Sequence, residues 1–455
     1  TALDVQLTFL FTLLPALGLG TYLYLRKELT TEIVIKLVIF LGITLRVCYF
    51  LYSAFEGVFD PRQHDLWGAW SHTEYIKHMA RTFTLPPTGT HEAYHPPLHY
   101  FFCGVVFRSA SFFGLDEVLS FRAVQIFLVF LSSVLIIRAY KIFKLTKCNE
   151  KVVLIGTAFV AFFPSLIYMS IYLNNDLTLA VFYTFSIYYL LKWVEEKSMK
   201  HTVLFALFTA GAILSKKSAI ILFALGGIVF LVELLKDKKN IRKYIKYGLI
   251  FFAIAVPLGM SFQIRNYILF QQGLSFSVPV AGSTMPHNPY NLFYVSAEKL
   301  LEHPFVLPGG DQRSFLFMEF IRTSLFSVFT FPKGIYGIND VSVVVMFFYL
   351  INLALVLLWF QTRRKKDYEG KDYVLAINLA MSILFFIWMH FSSPYHTTHA
   401  FRYIAPFIPV SLGYYMGKAN KKFGEVKYPV PGTIIKIIFP LWCASAALFV
   451  MLTGF

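Results

Sequence analysis

The sequence predicts an all-α, polytopic membrane protein. Of its 455 residues, 57% are apolar and only 15% are charged, and the mean hydropathy is +0.61. This composition lies outside the range of soluble globular domains. The apolar residues are grouped in windows of about 20, the length that an α-helix needs to cross the hydrocarbon core of a bilayer. We therefore expect a single transmembrane domain over residues 1–455.

About twelve such windows follow one another along the chain. They cover residues 5–25, 33–55, 118–137, 152–172, 177–191, 201–215, 218–235, 247–264, 341–360, 373–391, 401–416 and 433–453. The first window lacks a basic leader and a small-residue cleavage site, so we expect a span there and not a signal peptide. Because the last window reaches the end of the sequence, we expect no soluble C-terminal domain.

The net charge of +16, from 41 Lys and Arg against 25 Asp and Glu, would suggest nucleic-acid binding in a soluble protein. Here 25 of those 41 basic residues lie in six short connections: 26–32, 138–151, 192–200, 236–246, 361–371 and 417–428. Basic residues of short loops stay on the cytoplasmic side, which places both termini outside. The charge is therefore interpreted as a topology signal, with attraction to anionic membrane lipids as a secondary effect. No nucleic-acid partner is expected.

Two long segments, 56–117 and 265–340, fall on the predicted outer side of the plasma (inner) membrane. In the first, residues 66–83 have aromatic and apolar side chains at helical spacing, which is typical of an interfacial helix. After the aromatic YHPPLHYFF run, residues 98–113 are too short to span the bilayer, and we expect a re-entrant or surface helix there. Long loops on a helical scaffold commonly carry chemistry, so we expect the active site on this periplasmic or extracellular face.

Two acidic residues on the predicted outer side have two interpretations each. Asp65, just after the second predicted span, could act as a general base on a substrate at the membrane surface, or could cap the following helix. Asp176, in the turn Asn174-Asn175-Asp176, could likewise be a helix cap, and a ligand role would require a second acid nearby.

Four cations stand on the same predicted face, where hydropathy alone would not place them: Lys216, Lys217, Arg265 and Arg402. Any one of them could extend from a span end into the headgroup region. Four on one side indicate an anionic ligand, for which Arg and Lys are natural phosphate partners.

The histidines of the first outer segment raise the question of a metal site. They are His64, His72, His78, His91, His95 and His99. Their spacing contains no HExxH or other compact ligand set, so we favour structural or substrate-contact roles over a divalent cation. We expect no cofactor. The four cysteines have no CxxC spacing and indicate no disulfide framework.

Several motifs, taken in order, resemble the membrane glycosyltransferases of the GT-C class, in the branch of protein O-mannosyltransferases and aminoarabinose transferases (glycosyltransferase family 39-like). The matching pieces are Arg46, Asp65 followed by Tyr75-Ile76, YHPPLHY at 94–100, Asn175-Asp176, LSKKSAI at 214–220, IRNYILF at 264–270 with Gly273, and Arg402-Tyr403 with Pro406 and Pro409. They cover roughly residues 33–415. The ordered set is specific although no single motif is.

The resemblance implies a GT-C fold and an enzyme that moves a sugar from a polyprenyl-phosphate donor to an acceptor hydroxyl or phosphate, with inversion at the anomeric carbon. Asp65 would be the general base and Asp176 a supporting acid. The donor phosphate and substrate would be held by Lys216, Lys217, Arg265, Arg402, Tyr403 and His95. Because the family's Asp-Glu pair is absent here, Asp60, Glu74 and Glu92 remain alternative acids. The acceptor could be a protein, a lipid or a glycan.

Two other functions compete with this one. A secondary transporter or flippase for a lipid-linked sugar would use ionisable groups at the membrane midplane and repeated halves, whereas here these groups concentrate on one face and no repeat appears. A ligase or polymerase of the other GT-C architecture would use an undecaprenyl-diphosphate donor and would not need Asp65.

Overall fold

The computed structural model describes residues 2–57, 71–87, 91–273, 293–302, 304–305, 315–327, 338–363, 370–392, 400–425 and 429–453. The chain divides into two compact units. The first unit comprises Thr1–Ser53, Ala139–Met169 and Gly282–Phe455, and the second comprises Ala54–Arg138 and Ser170–Ala281. Each is therefore assembled from segments that are distant in the sequence.

The described regular structure is helical throughout. The α-helices of the N-terminal part are α1 (Ala2–Leu25), α2 (Thr31–Tyr52), α3 (His72–Thr82), α4 (Leu98–Phe112), α5 (Glu117–Leu145), α6 (Glu150–Phe162), α7 (Pro164–Tyr168), α8 (Asp176–Glu196) and α9 (Met199–Ser215). Those that follow are α10 (Ile221–Lys236), α11 (Ile241–Gly259), α12 (Ser261–Phe270), α13 (Ala297–Glu302), α14 (Leu316–Phe326), α15 (Ile338–Thr362), α16 (Asp372–Ser392), α17 (Pro409–Gly424) and α18 (Pro429–Thr453). Short 3₁₀ turns at His91–Tyr94 and Lys217–Ile220 matter for the site described below.

The chain is a multi-pass membrane protein. Among the described residues, seven helices are long and apolar enough to cross a bilayer, and the count is nine if each of two bent pairs is one span. The other three of the twelve predicted spans correspond to α1, α9 and α17. Of these, α9 and the part of α1 from Phe11 to Leu25 are apolar but short, and α17 has only 16 residues and carries lysines. Twelve spans therefore remain a prediction.

The first bend, 53° between α6 and α7, lies at Pro164 in the first unit. A proline has no N–H for the carbonyl four residues earlier, which here belongs to Val160. The buried Arg46 of α2 donates to the carbonyl oxygens of Val160 at 3.2 Å and Ala161 at 2.8 Å. α2 approaches this bend at Gly42, where a Cβ atom would lie 2.7 Å from the Cβ of Ala161. Arg46 thus satisfies carbonyl groups that the helix break leaves without partners.

The predicted span 401–416 differs from the structure. Phe401–Tyr403 forms a single 3₁₀ turn, and α17 begins only at Pro409. Pro409 is well placed as the first residue of the helix, because a proline has no N–H that would need a partner there. The helix also continues through most of the connection predicted at 417–428, ending at Gly424.

Of the helix predicted at 66–83, residues 66–70 lie outside the described residues, and the described part contains α3. α3 starts at His72, and its N-cap is Ser71, whose side chain accepts a hydrogen bond from the Glu74 backbone N–H. The N-cap of α3 is thus Ser71, and Asp65 lies outside the described residues. The helix predicted at 98–113 is observed as α4, which has 15 residues.

Candidate active site in the second unit

Four segments of the second unit converge on one buried polar cluster. They are α3, the 3₁₀ turn at His91–Tyr94 with the start of α4, the start of α8, and the junction of α9 with Lys216. An apolar cluster that includes Tyr75, Met79, Tyr100, Phe121 and Leu173 joins these helices. α3 and α4 are in close contact at Gly104, where a Cβ atom would lie 3.0 Å from the Cβ of Met79. This packing fixes the polar side chains at the helix ends.

The central contact is an ion pair between Asp176 and Lys216. Lys216 Nζ lies 2.5 Å from Asp176 Oδ1, and the two side chains are only 10% and 2% exposed. Asp176 is the first residue of α8, whose N-cap residue Asn175 makes no side-chain capping bond. Removing two charges from water is costly unless they are paired and hydrogen-bonded. The Asp176 carboxylate is therefore the partner of a buried lysine, which the interpretation as a helix cap does not explain.

The turn before Asp176 contributes polar atoms that have no protein partner. Asn174 Oδ1 accepts from the Asp176 N–H at 3.1 Å, and Asn175 Nδ2 donates to the Ser215 carbonyl at 3.0 Å. Within the described structure, the remaining side-chain atoms Asn174 Nδ2 and Asn175 Oδ1, together with Ser218 Oγ, are buried without a hydrogen-bond partner. Buried polar atoms are normally paired, so unpaired ones in a cluster are candidate ligand contacts.

Glu92 lies between two histidines in the same unit. Its Oε2 is 2.9 Å from His95 Nε2 and 3.8 Å from His72 Nε2, and all three residues are buried. His72 Nδ1 is 2.7 Å from the Tyr100 hydroxyl, which continues the chain of polar groups. Tyr100 in turn stacks on Tyr75, with ring centroids 3.7 Å apart, and the Tyr75 hydroxyl donates to the His95 carbonyl at 3.3 Å. Glu92 is thus held in position by His72 of α3 and by His95, which lies just before α4.

Burial determines the charge state of the histidines. It lowers the pKa of His95 to about 4, an effect that Glu92 opposes and that Lys216 and His72 increase. It lowers the pKa of His99 to about 3. Both rings are therefore neutral at pH 7. Because His95 Nε2 faces Glu92, the tautomer that fits donates there and leaves Nδ1 as an acceptor, and Nδ1 is buried with no hydrogen-bond partner among the described residues.

His99 connects α4 to the segment around the start of α8. Its Nδ1 is 2.8 Å from the Thr178 hydroxyl, and its Nε2 is 3.2 Å from the Leu173 carbonyl. These bonds join the first turn of α4 to the start of α8. His99 therefore helps to hold the Asp176 turn against the Glu92 segment.

Two further cations of the prediction also lie in the second unit. Lys217 Nζ lies 5.3 Å from the centre of the Tyr94 ring, and the Tyr94 ring contacts His95, with centroids 4.2 Å apart. Arg265 donates to the Asn266 side chain at 2.8 Å, and within the described residues it forms no ion pair. Burial raises the pKa of Tyr75, and the positive charge of Arg265 partly opposes this shift.

The remaining predicted residues are placed elsewhere or are not described. Asp60 and Asp65 lie outside the described residues. Glu74 is 41% exposed and pairs with Lys77 at 2.5 Å, and Lys77 also contacts Glu117 at 3.2 Å. Arg402 and Tyr403 belong to the first unit, where an Arg402 nitrogen lies 3.3 Å from the Tyr403 hydroxyl.

Two members of the cluster, His72 and Tyr100, are not among the residues that the sequence predicts as catalytic or phosphate-binding. The pattern Ser71-His72-Thr73-Glu74 is a capping-box pattern that could have located the start of α3 and hence the inward position of His72. Within the described ranges, no group of three or more His, Cys, Asp or Glu side chains is arranged to hold a metal ion.

Several known structures are similar to the chain. An oligosaccharyltransferase of Archaeoglobus fulgidus in the apo form has 11% identity and a TM-score of 0.49, with 92% of this chain and 55% of that chain covered. ArnT of Cupriavidus metallidurans bound to undecaprenyl phosphate has 12% identity and a TM-score of 0.47, with 91% and 76% covered. The chain thus spans about half the length of the archaeal enzyme. A comparison with curated proteins finds no match.

A family match covers most of the cluster. Residues 94–260 match the sequence model of the dolichyl-phosphate-mannose-protein mannosyltransferases. This segment includes His95, His99, Asp176, Lys216 and Lys217, and Glu92 lies two residues before it. The resemblance indicated by the ordered motifs is therefore confirmed over residues 94–260, which match the model of a family of lipid-linked sugar glycosyltransferases.

Proposed function

We propose that the chain is an inverting glycosyltransferase that moves a sugar from a polyprenyl-phosphate donor to an acceptor hydroxyl or phosphate. The reaction would take place on the periplasmic or extracellular face of the plasma (inner) membrane. The observation that carries the proposal is the buried Asp176–Lys216 pair, because it lies within the segment that matches the family and has unpaired polar atoms around it. A buried pair of this kind contributes little to stability by itself.

The proposed reaction requires a general base, a binding site for the donor phosphate and groups that stabilise the negative charge of the leaving phosphate. The acceptor hydroxyl loses its proton to a carboxylate and attacks the anomeric carbon from the face opposite the phosphate. The bond from that carbon to the phosphate oxygen breaks, and polyprenyl phosphate leaves with an additional negative charge. Cations that are already in position lower the free energy of this transition state.

Lys217 and Arg265 are the cations that we assign to the donor phosphate, with Lys216 held beside them by Asp176. Lys216 is paired at 2.5 Å, so its main contribution is positive potential at a fixed position. In the described structure Arg265 has no acidic partner, which leaves its guanidinium able to form charge-assisted bonds with a phosphate. Arg402 and Tyr403, in the first unit, are further candidates that rest on their motif.

The base is assigned to Asp65, for which the resemblance argues. Glu92 is the alternative base, because it is buried and fixed by two histidines in the cluster. The unpaired His95 Nδ1 would accept a hydrogen bond from a sugar or acceptor hydroxyl.

The test is a transfer assay with purified protein in detergent, a polyprenyl-phosphate sugar and an acceptor, with release of polyprenyl phosphate measured by mass spectrometry. Wild-type protein should release it, and Asp65→Asn should not, although the variant should still bind polyprenyl phosphate. Glu74→Gln, which removes an exposed acid of the same segment, is the matched control and should be active. Full activity of Asp65→Asn together with loss in Glu92→Gln would transfer the base role to Glu92.

The same assay separates an enzyme from a transporter. A flippase for a lipid-linked sugar would release no polyprenyl phosphate in detergent and would move the donor between the leaflets of proteoliposomes. That result would overturn the proposal. Mass spectrometry of products from cells with and without the chain would then identify the acceptor of an active enzyme as a protein, a lipid or a glycan.

A further inference from the structure

The first unit contains a large apolar groove that the proposed reaction does not use. Its volume is about 790 Å³, and its walls come from α1, α2, α6, α17 and α18. Most of the lining side chains are aliphatic or aromatic, such as Leu41, Ile155, Phe439 and Ala444. A cavity of this size is within the range that holds a small-molecule ligand.

One end of the groove is basic. Lys151, Lys421 and Lys436 line it there, together with the single acid Glu425. Lys151 and Glu425 form an exposed pair at 3.4 Å. Lys421 and Lys436 have no acidic partner among the described residues, so the end has a net charge of +2 if all four groups are ionised. Apolar walls with a cationic end match the chemistry of a lipid that has an anionic headgroup.

The groove is at least as long as the hydrocarbon part of one leaflet. Along α18, the lining runs from Lys436 to Met451, which is about 22 Å at 1.5 Å per residue. Along α6 it runs from Lys151 to Phe162, about 16 Å by the same rise. Half of a hydrocarbon core of about 30 Å is about 15 Å. An acyl chain of one leaflet could therefore lie along the groove with its headgroup at the lysines.

The position of the lysines in the sequence indicates which leaflet. Lys151 and Lys421 belong to the basic connections 138–151 and 417–428, which the charge bias places on the cytoplasmic side. Anionic phospholipids are concentrated in the cytoplasmic leaflet, and basic pockets between transmembrane helices bind their headgroups. The cations assigned to the donor, Lys217 and Arg265, belong to segments predicted on the other side.

We propose that this groove is a binding site for an anionic phospholipid of the cytoplasmic leaflet, with its phosphate at Lys421 and Lys436 and its acyl chain between α2, α6 and α18. The site is distinct from the donor site and does not depend on the proposed reaction. The lipid would fill the space between these helices in the membrane.

The test is native mass spectrometry of the purified full chain titrated with dioleoylphosphatidylglycerol or dioleoylphosphatidylcholine. Wild-type protein should retain the glycerol lipid at a concentration about 30-fold lower than the choline lipid, because two lysines that each contribute about 1 kcal/mol give about this factor. Lys421→Gln with Lys436→Gln should remove this preference. Lys422→Gln is the matched control, since Lys422 donates to the Thr362 carbonyl at 2.8 Å and does not line the groove.

A second variant tests the apolar walls. Ala444→Trp would occupy the groove and should reduce retention of both lipids, with a monodisperse elution profile as evidence of folding. If Ala444→Trp does not fold, the lysine variants alone decide. Equal retention of both lipids by wild-type protein, or an unchanged preference in the double lysine variant, would overturn the proposal. Displacement of the glycerol lipid by undecaprenyl phosphate at lower concentrations would also overturn it, because the groove would then belong to the donor.

Discussion

Each unit contains a buried Asp–Lys pair, and the two pairs differ in their surroundings. In the first unit, Lys418 Nζ lies 3.1 Å from Asp372 Oδ2, with side chains that are 7% and 1% exposed. In the second, Lys216 lies 2.5 Å from Asp176 Oδ1. Distance and burial alone would assign both pairs the same role.

The hydrogen bonds around the two ion pairs distinguish one pair from the other. The Tyr414 hydroxyl donates to the other carboxylate oxygen of Asp372, and the Tyr415 hydroxyl donates to the Asp372 carbonyl at 2.9 Å. These donors and Lys418 all come from α17, so the pair fastens that helix to the start of α16. Among the described residues, the Asp176 carboxylate has only Lys216 as a partner, and unpaired atoms of Asn174, Asn175 and Ser218 are buried in the adjoining turns. A buried ion pair therefore indicates a site only when its surroundings still have unused hydrogen-bonding capacity.

The largest effect on activity is expected for Asp176→Asn. Loss of the carboxylate leaves Lys216 without its anchor, and loss of a preorganised charge of this kind lowers catalytic rates by factors on the order of 10² to 10³. Release of polyprenyl phosphate per folded molecule should therefore fall by about that factor. Asp372→Asn is the matched control and should retain transfer. A similar loss in both variants would remove the functional difference between the pairs.

The largest effect on stability is expected for Asp372→Asn. Removal of one partner of a buried pair costs about 3 to 5 kcal/mol, because the other charge stays buried without compensation. The free energy of unfolding should fall by about this amount. Adding Lys418→Met should recover part of the loss, since both charges are then gone. If the double variant is less stable than Asp372→Asn, the charges are not the cause.

The pH dependence of the free energy of unfolding should come from the buried histidines of the second unit. A histidine whose folded pKa is lowered to about 4 binds a proton less readily when folded than when unfolded, where its pKa is about 6.5. Stability is therefore complete above pH 6.5 and is lost as the pH falls through 4, by up to about 1.4 kcal/mol per pH unit for each histidine. The unfolding midpoint of the wild type should fall between pH 7 and pH 5. His99→Gln should be less stable at pH 7 but less sensitive to pH, and an undiminished pH sensitivity would contradict the assignment.

A smaller effect is expected for Lys217→Gln. Loss of one charge-assisted bond to a phosphate costs about 1.5 to 3 kcal/mol, so the Kd for polyprenyl phosphate should rise by about tenfold or more. Lys243→Gln, a lysine outside the cluster, is the control. An unchanged Kd in Lys217→Gln would remove this residue from the phosphate site.

The smallest effect is expected for Glu74→Gln. Its side chain is 41% exposed, and its partner Lys77 also contacts Glu117, so loss of this one pair should cost only about 1 kcal/mol. Transfer and stability should both stay close to wild type. A marked loss of transfer with normal stability would make Glu74 a candidate base again.

The sequence predicted more of the helices than of their contacts. Hydropathy windows located most spans to within a few residues, because each helix must present its own apolar surface to the membrane. The pairing of Asp176 with Lys216 joins residues 40 positions apart, and that of His72 with Tyr100 joins residues 28 positions apart. Periodicity within one helix carries no information on such pairs. The sequence assigned polar roles to Asp176 and Lys216 separately, and only the packing of α8 on α9 brings them together.

The same limit applies to the first unit. The basic character of 417–428 predicted the side of the membrane, but it did not indicate that Lys418 is buried against Asp372 whereas Lys421 lines a groove. Lys418 and Lys421 are three positions apart on α17, so their side chains project from the same side of the helix. Their roles differ because Lys418 contacts Asp372 of α16, whereas Lys421 lines the groove.

A structure of the protein with bound polyprenyl phosphate, determined by electron cryomicroscopy, would test the central claim most directly. The account predicts phosphate density in the second unit, with side-chain nitrogens of Lys217 or Arg265 at about 3 Å from its oxygens. Phosphate density confined to the first unit, at Lys421 and Lys436, with none beside the Asp176–Lys216 pair, would contradict it.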